Sequence, residues 1–183
     1  MSILDLFDSK KRKLSKITIR KANISDVDEI YNLIETIYNG MEHKEWYSYT
    51  KKKERYNLFI NDGYCYVACY KDKIIGYFLT YILREDGTDF YKLVTEHYGN
   101  NENIIEVINY GILPDYRGLG LQEKMLMQLE NDVKGTEVKH FVVTIHPDNK
   151  YSLNNMIKRG YNIIITTKLY GGLDRHILTK NID

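Results

Sequence analysis

The sequence lacks several features that would point to particular classes of protein. Its 26 Lys and Arg residues almost balance its 25 Asp and Glu residues, for a formal net charge of +1. Without a basic excess to neutralise phosphates, no nucleic acid is expected as a partner. No run of about 18 apolar residues is present, and the N-terminus reverses the basic-then-apolar order of a secretory signal. We therefore expect a soluble, cytoplasmic protein with no membrane association.

Cysteine is also scarce, because the chain contains only Cys65 and Cys69. In a strand-like segment this spacing would place both side chains on one face but too far apart for an unstrained disulfide, which predicts two buried free thiols. The 5 histidines form no recognisable ligand spacing with them. No metal is expected for this reason.

The 183 residues suit one domain of ordinary size. We predict an N-terminal tail or short helix over residues 1–16 and a single domain over residues 17–183. Strands are predicted over residues 17–20, 64–70, 73–83, 104–113, 141–145, 161–166 and 175–179. Helices are predicted after a cap formed by Ser25 and Asp28, within residues 88–103, after Gly120 and after Asn149. Residues 104–113 are almost continuously apolar, which predicts a strand buried on both faces.

The most informative segment is the turn that follows this strand. It consists of Arg117, Gly118, Leu119, Gly120, Leu121 and Gln122. A helix that starts here could hold a pyrophosphate on its N-terminal N–H groups, and glycine would let the backbone come close. An ordinary strand-to-helix turn that uses glycine for its geometry is the alternative. The third glycine of a dinucleotide fingerprint and the Gly-Lys-Ser/Thr of a P-loop are both missing.

In its context this turn resembles the acetyl-CoA motif of the GNAT N-acetyltransferase superfamily, Arg/Gln-x-x-Gly-x-Gly/Ala. Arg117, Gly120 and Gln122 occupy the three marked positions, and Gln122 departs from the small residue of the family. A second family signature is Asn-x-x-Ala/Ser followed by a helix and Gly-Phe/Tyr. It is matched by Asn149, Ser152, Gly160 and Tyr161. The two motifs occur in the expected order.

The resemblance covers roughly residues 17–180 and implies a bacterial-type protein of the α/β (α+β) class with the acyl-CoA N-acyltransferase fold. That fold has a central mixed, mostly antiparallel sheet, splayed between strands 4 and 5 and flanked by helices. It implies acetyl-CoA as co-substrate, without a metal. The residues implied in binding it are Ile112, Leu113, Arg117, Gly118, Leu119, Gly120, Leu121, Gln122, Asn149 and Ser152. The N–H groups of Ile112 and Leu113 would also polarise the thioester carbonyl.

The usual mechanism of similar proteins is direct attack by a neutral amine, which requires a proton acceptor. Glu106 is our first candidate, because it is the only acidic residue in the segment 104–113 and lies where histone-acetylating relatives carry their base. An apolar setting would make it a better proton acceptor, although an exposed strand end is the alternative. Asn109 and Tyr110 could orient the substrate or relay its proton, or serve only in packing.

One departure from the family concerns the leaving group. Many members carry a tyrosine seven residues after the motif asparagine to reprotonate the CoA thiolate, whereas this chain has Met156. Because a thiolate of this kind leaves readily near neutral pH, water or another tyrosine could serve instead.

The sequence thus predicts an N-acetyltransferase that acts on a primary amine of a small molecule or a protein through a ternary complex. A catalytically silent acyl-CoA sensor or interaction module is the alternative. Transfer of a longer acyl or aminoacyl group is a third option. A homodimer is a further candidate, because similar proteins often dimerise.

Overall fold

The structure is a computed structural model that describes residues 2–7, 13–99 and 103–182. Its strands are β1 (Ser2–Phe7), β2 (Lys13–Lys21), β3 (Tyr66–Tyr70), β4 (Lys73–Ile82), β5 (Ile104–Ile112), β6 (His140–Ile145), β7 (Asn162–Leu169) and β8 (Leu173–Asn181). Its α-helices are α1 (Val27–Asn39), α2 (Arg55–Asp62), α3 (Asp89–Tyr98), α4 (Leu121–Asp132) and α5 (Lys150–Lys158). Within these ranges, no helix is long and apolar enough to span a membrane.

The chain folds as two compact units. The first consists of Met1–Glu42, Tyr49–Thr80 and Asn109–Lys134, and the second of His43–Ser48, Tyr81–Ile108 and Gly135–Asp183. In the first unit, β1 to β4 are hydrogen-bonded in sequence order and run antiparallel, and the amide of Leu113 donates to the carbonyl of Ile75 at 2.9 Å. In the second unit, residues 104–108 of β5 are followed in strand order by β6, β8 and β7. The single domain over residues 17–183 stays a prediction.

The pairing directions confirm the predicted mixed sheet. β5 and β6 are parallel, whereas β8 runs antiparallel to both β6 and β7. The parallel ladder begins with the pair Ile104 and His140 and ends with the pair Val107 and Val143. Because β5 continues to Ile112, its C-terminal half extends beyond the ladder, as a splayed sheet requires.

The core of the second unit lies against this parallel pair. Two residues of α3 contribute to it, together with residues from four strands of the unit and the segment before α3. The buried cluster contains Leu83, Phe90, Val94, Ile104, Val142, Leu169 and Ile177. The predicted helix within residues 88–103 is therefore confirmed as a helix that covers one face of the second unit.

The prediction for residues 1–16 is wrong. Ser2–Phe7 forms β1 rather than a tail or short helix, and β2 already begins at Lys13. The two strands pair antiparallel, with a register shift between Leu4 and Leu6. A strand of this kind is stabilised by hydrogen bonds to a partner strand, which a local residue pattern does not reveal.

The strand β5 also differs from its prediction, because it is not buried on both faces. From Val107 onward, buried residues alternate with half-buried ones. Asn109 and Gly111 are buried, whereas Tyr110 and Ile112 are half-buried. One face of this strand is therefore more open, since successive side chains of a strand point to opposite faces.

Both cysteines are free and buried, as predicted. Cys65 donates from Sγ to the carbonyl oxygen of Phe59 at 3.2 Å. Burial raises the pKa of the Cys65 thiol to about 12, so the thiol stays protonated at neutral pH.

The 3₁₀ turn that leads into α1 is capped, and by other residues than predicted. This turn spans Ile24–Asp26, and Asn23 and Asp26 form a capping box in place of Ser25 and Asp28. Both oxygens of Asp26 also bind the guanidinium of Arg20, at 2.6 and 2.8 Å. A bidentate ion pair next to a cap anchors the start of α1 to the end of β2.

Replacing Asp26 with Ala is expected to lower the free energy of unfolding by about 2 kcal/mol, because Arg20 and the Asn23 amide both lose an acceptor. The hydrogen bonds from Arg20 hold the pKa of Asp26 below its usual value. Its contribution is therefore complete above about pH 4 and is lost as the pH falls through the lower folded value. Urea unfolding of wild type and variant at about pH 7 and about pH 3 measures both effects.

The matched control is Asp28→Ala, because the Asp28 side chain is 77% exposed and also lies at the start of α1. This variant is expected to change stability by less than about 0.5 kcal/mol. Equal losses in the two variants would contradict the role given to Asp26.

Candidate active site

The turn between β5 and α4 has the backbone that the motif predicts. A 3₁₀ turn over Pro114–Tyr116 follows β5, and Arg117 is then extended. Gly118 and Gly120 have φ angles of +79° and +69°. A Cβ added at either glycine would meet no heavy atom within 4 Å. The left-handed backbone, not lack of space, is therefore what favours glycine here, and room is left beside the turn.

The start of α4 presents backbone donors to that room. Gly120 is its N-cap, and no side-chain cap is found at this end in the described part of the chain. The first N–H groups of a helix lack intrahelical acceptors and carry partial positive charge, which suits a phosphate. Leu121 is buried, so only its backbone can face a ligand, whereas Leu119 and Gln122 are half-buried.

Arg117 is exposed and lies beside the last residue of β5. Its Nε donates to the carbonyl oxygen of Ile112 at 3.2 Å. This contact places a guanidinium at the turn, where it can add a charge-assisted bond to an anion.

The structure corrects one predicted role on β5. The amide of Leu113 donates to the carbonyl of Ile75 at 2.9 Å. That N–H group is therefore already engaged within the protein, and the prediction that it polarises a thioester carbonyl is wrong for this structure. Ile112 is half-buried on the more open face of β5.

The three candidate catalytic residues do not share one environment. Asn109 is 7% exposed, and its Oδ1 accepts a hydrogen bond from the hydroxyl of Tyr77 at 3.2 Å. The ring of Tyr110 stacks on Phe78 with 5.9 Å between the ring centroids. Glu106 is half-buried in the second unit. Asn109 thus lies on the buried face, while Glu106 and Tyr110 lie on the more open one.

Glu106 has a group of polar neighbours that sequence reasoning missed. It is paired in register with Val142, so Thr144, two residues further along β6, lies on the same face. The hydroxyls of Thr144 and Tyr170 are 3.1 Å apart. Burial and the negative charge of Glu106 raise the pKa of Tyr170, which keeps its hydroxyl protonated. The only available sequence signal was a tyrosine directly before Gly171 and Gly172.

The second motif, which begins at Asn149, lies at the N-terminus of α5. Asn149 is the N-cap of α5, and its Oδ1 accepts a hydrogen bond from the amide of Ser152 at 3.1 Å. Gly160 follows the helix with a φ of +86°. The capping role of Asn149 is therefore confirmed, while contact with a pantetheine arm stays a prediction. Met156, which stands in place of the family's tyrosine, is fully buried and apolar.

Metal ligands do not converge in the part of the chain that the structure describes. No group of three or more His, Cys, Asp or Glu side chains that could hold a metal ion is found within the described ranges.

Comparison with solved structures supports the fold. The GNAT-family acetyltransferase from Streptococcus pneumoniae is 16% identical with a TM-score of 0.68, and the match covers 91% of this chain and 99% of that chain. The protein yncA from Salmonella typhimurium, solved with its cofactor acetyl-CoA, is 17% identical with a TM-score of 0.66 and coverages of 92% and 95%. Naa50 from Arabidopsis thaliana, solved with the bisubstrate analogue CoA-Ac-MVNAL, is 13% identical with a TM-score of 0.66 and coverages of 90% and 97%.

At such identities the likeness concerns the fold alone, and no curated protein matches the chain. The family is shown by a match between the sequence and a family model. The model of the acetyltransferase (GNAT) family matches residues 27–161, which include both motif segments. The chain therefore belongs to the GNAT family of acetyltransferases, and its mixed sheet and the glycine turn at the start of α4 agree with this membership.

Proposed function

We propose that this protein transfers the acetyl group of acetyl-CoA to a primary amine by direct attack in a ternary complex. The observation that carries the proposal is the turn from Arg117 to the start of α4, with its two left-handed glycines and the open space beside each of them. The presence of acetyl-CoA in the Salmonella relative and of CoA in the relative from Thermoplasma acidophilum supports it.

The residues of the turn fit a pyrophosphate. The backbone N–H groups of residues 118–122 would bind it, and Arg117 would neutralise part of its charge. The backbone of Ile112, together with Asn149 and Ser152, would hold the pantetheine arm. Acetyl-CoA supplies the activated acetyl thioester in this arrangement.

Glu106 would prepare the acceptor. An alkylammonium has an unperturbed pKa near 10, so its nitrogen lone pair must first be released by proton transfer. The carboxylate of Glu106 takes this proton, and the free amine then attacks the acetyl carbonyl carbon. The buried thioether of Met156 cannot reprotonate the leaving thiolate, so this step falls to water or to a hydroxyl on the open face.

Binding of acetyl-CoA to a Gly120→Trp variant tests the cofactor site. The indole would fill the room beside the turn and the left-handed backbone would be strained, so affinity measured by calorimetry is expected to fall roughly a hundredfold. Gly87→Trp is the matched control, because Gly87 also has a positive φ, of +73°, and open space around a Cβ. The control should bind acetyl-CoA like wild type.

Two results would contradict the proposal. If the well-folded wild type bound no acetyl-CoA, the site would not be a CoA site at all. If it bound acetyl-CoA but released no CoA with any amine, the protein would instead be a silent acyl-CoA sensor, which the missing tyrosine at Met156 allows.

A further inference from the structure

Tyr170 has an unusual backbone in the turn between β7 and β8. Its φ is +52°, and Gly171 and Gly172 follow with φ angles of +83° and +105°. The left-handed region is strained for a bulky side chain, whereas glycine adopts it freely. A tyrosine at the start of a turn that already contains two glycines therefore indicates a use for its side chain.

The hydroxyl of Tyr170 contacts the side chain of Thr144 on β6. It lies 3.1 Å from Oγ1 of Thr144, and either oxygen can be the donor. Thr144 is the first residue of β6 beyond the last pair of the parallel ladder, Val107 and Val143. It also lies on the face of Glu106, so the phenol and the carboxylate are held on the same face of the sheet.

The ring of Tyr170 has a cation beside it and remains partly exposed. The guanidinium carbon of Arg175 lies 5.7 Å from the ring centroid. Arg175 is only 2% exposed, and its two terminal nitrogens donate to the carbonyl oxygens of Asp174 and Glu45 at 2.7 and 2.9 Å. Tyr170 itself is 43% exposed. A fixed buried cation thus supports a ring that a ligand can still reach.

The protonation state of Tyr170 follows from this setting. Burial of the hydroxyl and the nearby charge of Glu106 both raise its pKa. A protonated phenol that donates to Thr144 leaves oxygen lone pairs for a hydrogen-bond donor in front of the ring.

We propose that Tyr170 is a further residue of the acceptor site, whose hydroxyl oxygen accepts a hydrogen bond from the primary ammonium group that Glu106 deprotonates. This inference rests on the proposed function. Thr144 is a positioning residue in it, because its Oγ1 accepts the hydrogen bond from the phenolic O–H and so directs a lone pair of Tyr170 to the substrate. The site selects a protonated primary amine, since a phenol oxygen and a carboxylate both accept hydrogen bonds.

The test compares Tyr170→Phe, which keeps the ring, with Thr144→Val, which keeps the shape of the side chain. Spermidine, L-lysine and a short peptide with a free α-amine serve as probes, with CoA release as the readout. For the best probe, Tyr170→Phe is expected to raise the KM for the amine roughly tenfold to a hundredfold, the usual effect of losing a hydrogen bond to a charged group. Thr144→Val should also raise the KM for the amine, by a smaller factor.

Three measurements separate this role from a structural one. The affinity for acetyl-CoA and the thermal midpoint should stay unchanged in both variants, and Tyr151→Phe, at a tyrosine that is 71% exposed, should behave as wild type. An unchanged KM for the amine in Tyr170→Phe would overturn the inference and leave the proposed function standing. A third result is that the CoA-loaded wild type binds a probe by calorimetry but does not acetylate it, and that Tyr170→Phe no longer binds the probe. This result would overturn the proposed function and support the amine site. Neither binding nor turnover with any probe would overturn both.

Discussion

Replacing Glu106 with Gln is expected to lower kcat for amine acetylation by about 10² to 10⁴, the usual contribution of a general base. The amide has nearly the same shape but cannot take a proton from the acceptor. The deficit should shrink as the pH rises from about 7 toward about 10, because the amine then deprotonates in solution. Initial rates of CoA release across this pH range measure the loss of kcat. The affinity of the variant for acetyl-CoA should equal that of wild type.

The control for this prediction is Glu96→Gln. Glu96 is an exposed residue of α3 in the same unit, so its loss should leave kcat unchanged. If Glu106→Gln kept full activity at every pH, Glu106 would not be the base. Tyr110 would then be the next candidate, because it is half-buried on the more open face of β5, while Asn109 is bound to Tyr77 on the buried one.

Replacing Gly63 with Ala is expected to lower the free energy of unfolding by about 3 kcal/mol. The added Cβ would collide with the carbonyl oxygen of Thr80 and lie 2.5 Å from that of Phe59. Both are backbone atoms, and Thr80 is further fixed by hydrogen bonds of its hydroxyl to the backbone of Tyr64 at 2.8 and 3.0 Å. The collision therefore cannot be relieved by turning a flexible side chain.

Gly40→Ala is the matched control. Both glycines are C-caps, Gly63 of α2 and Gly40 of α1, but a Cβ at Gly40 would make ordinary contact, with its nearest neighbour at 3.5 Å. Urea unfolding followed by circular dichroism should show a large loss for Gly63→Ala and less than about 0.5 kcal/mol for the control. Similar small changes in both variants would show that α2 can shift at little cost.

The candidate cofactor turn was predictable because its geometry is local. Arg117, Gly118 and Gly120 are neighbours in sequence, and the positive φ angles of the two glycines follow from the demands of a strand-to-helix turn. The same holds for Asn149, whose cap involves an amide only three residues along the chain.

The catalytic side of the site was predictable only in part. Glu106 stood out as a carboxylate in an apolar segment, but the alternation of burial along β5, which sets Asn109 apart, depends on which face is covered. The engagement of the Leu113 amide with Ile75 and the hydroxyl contact of Tyr170 with Thr144 join segments far apart in sequence. No local pattern encodes them.

By itself the sequence determined the two motifs, hence the family, and the order of the strands and helices that it predicts after residue 17. These depend on periodicity, capping and turn chemistry over a few neighbouring residues. Only the tertiary structure decided that Ser2–Phe7 is a strand and that Thr144 and Tyr170 join the face of Glu106. Strand pairing and register depend on long-range hydrogen bonds and on which side chains can be buried together, and both exist only once the chain has folded.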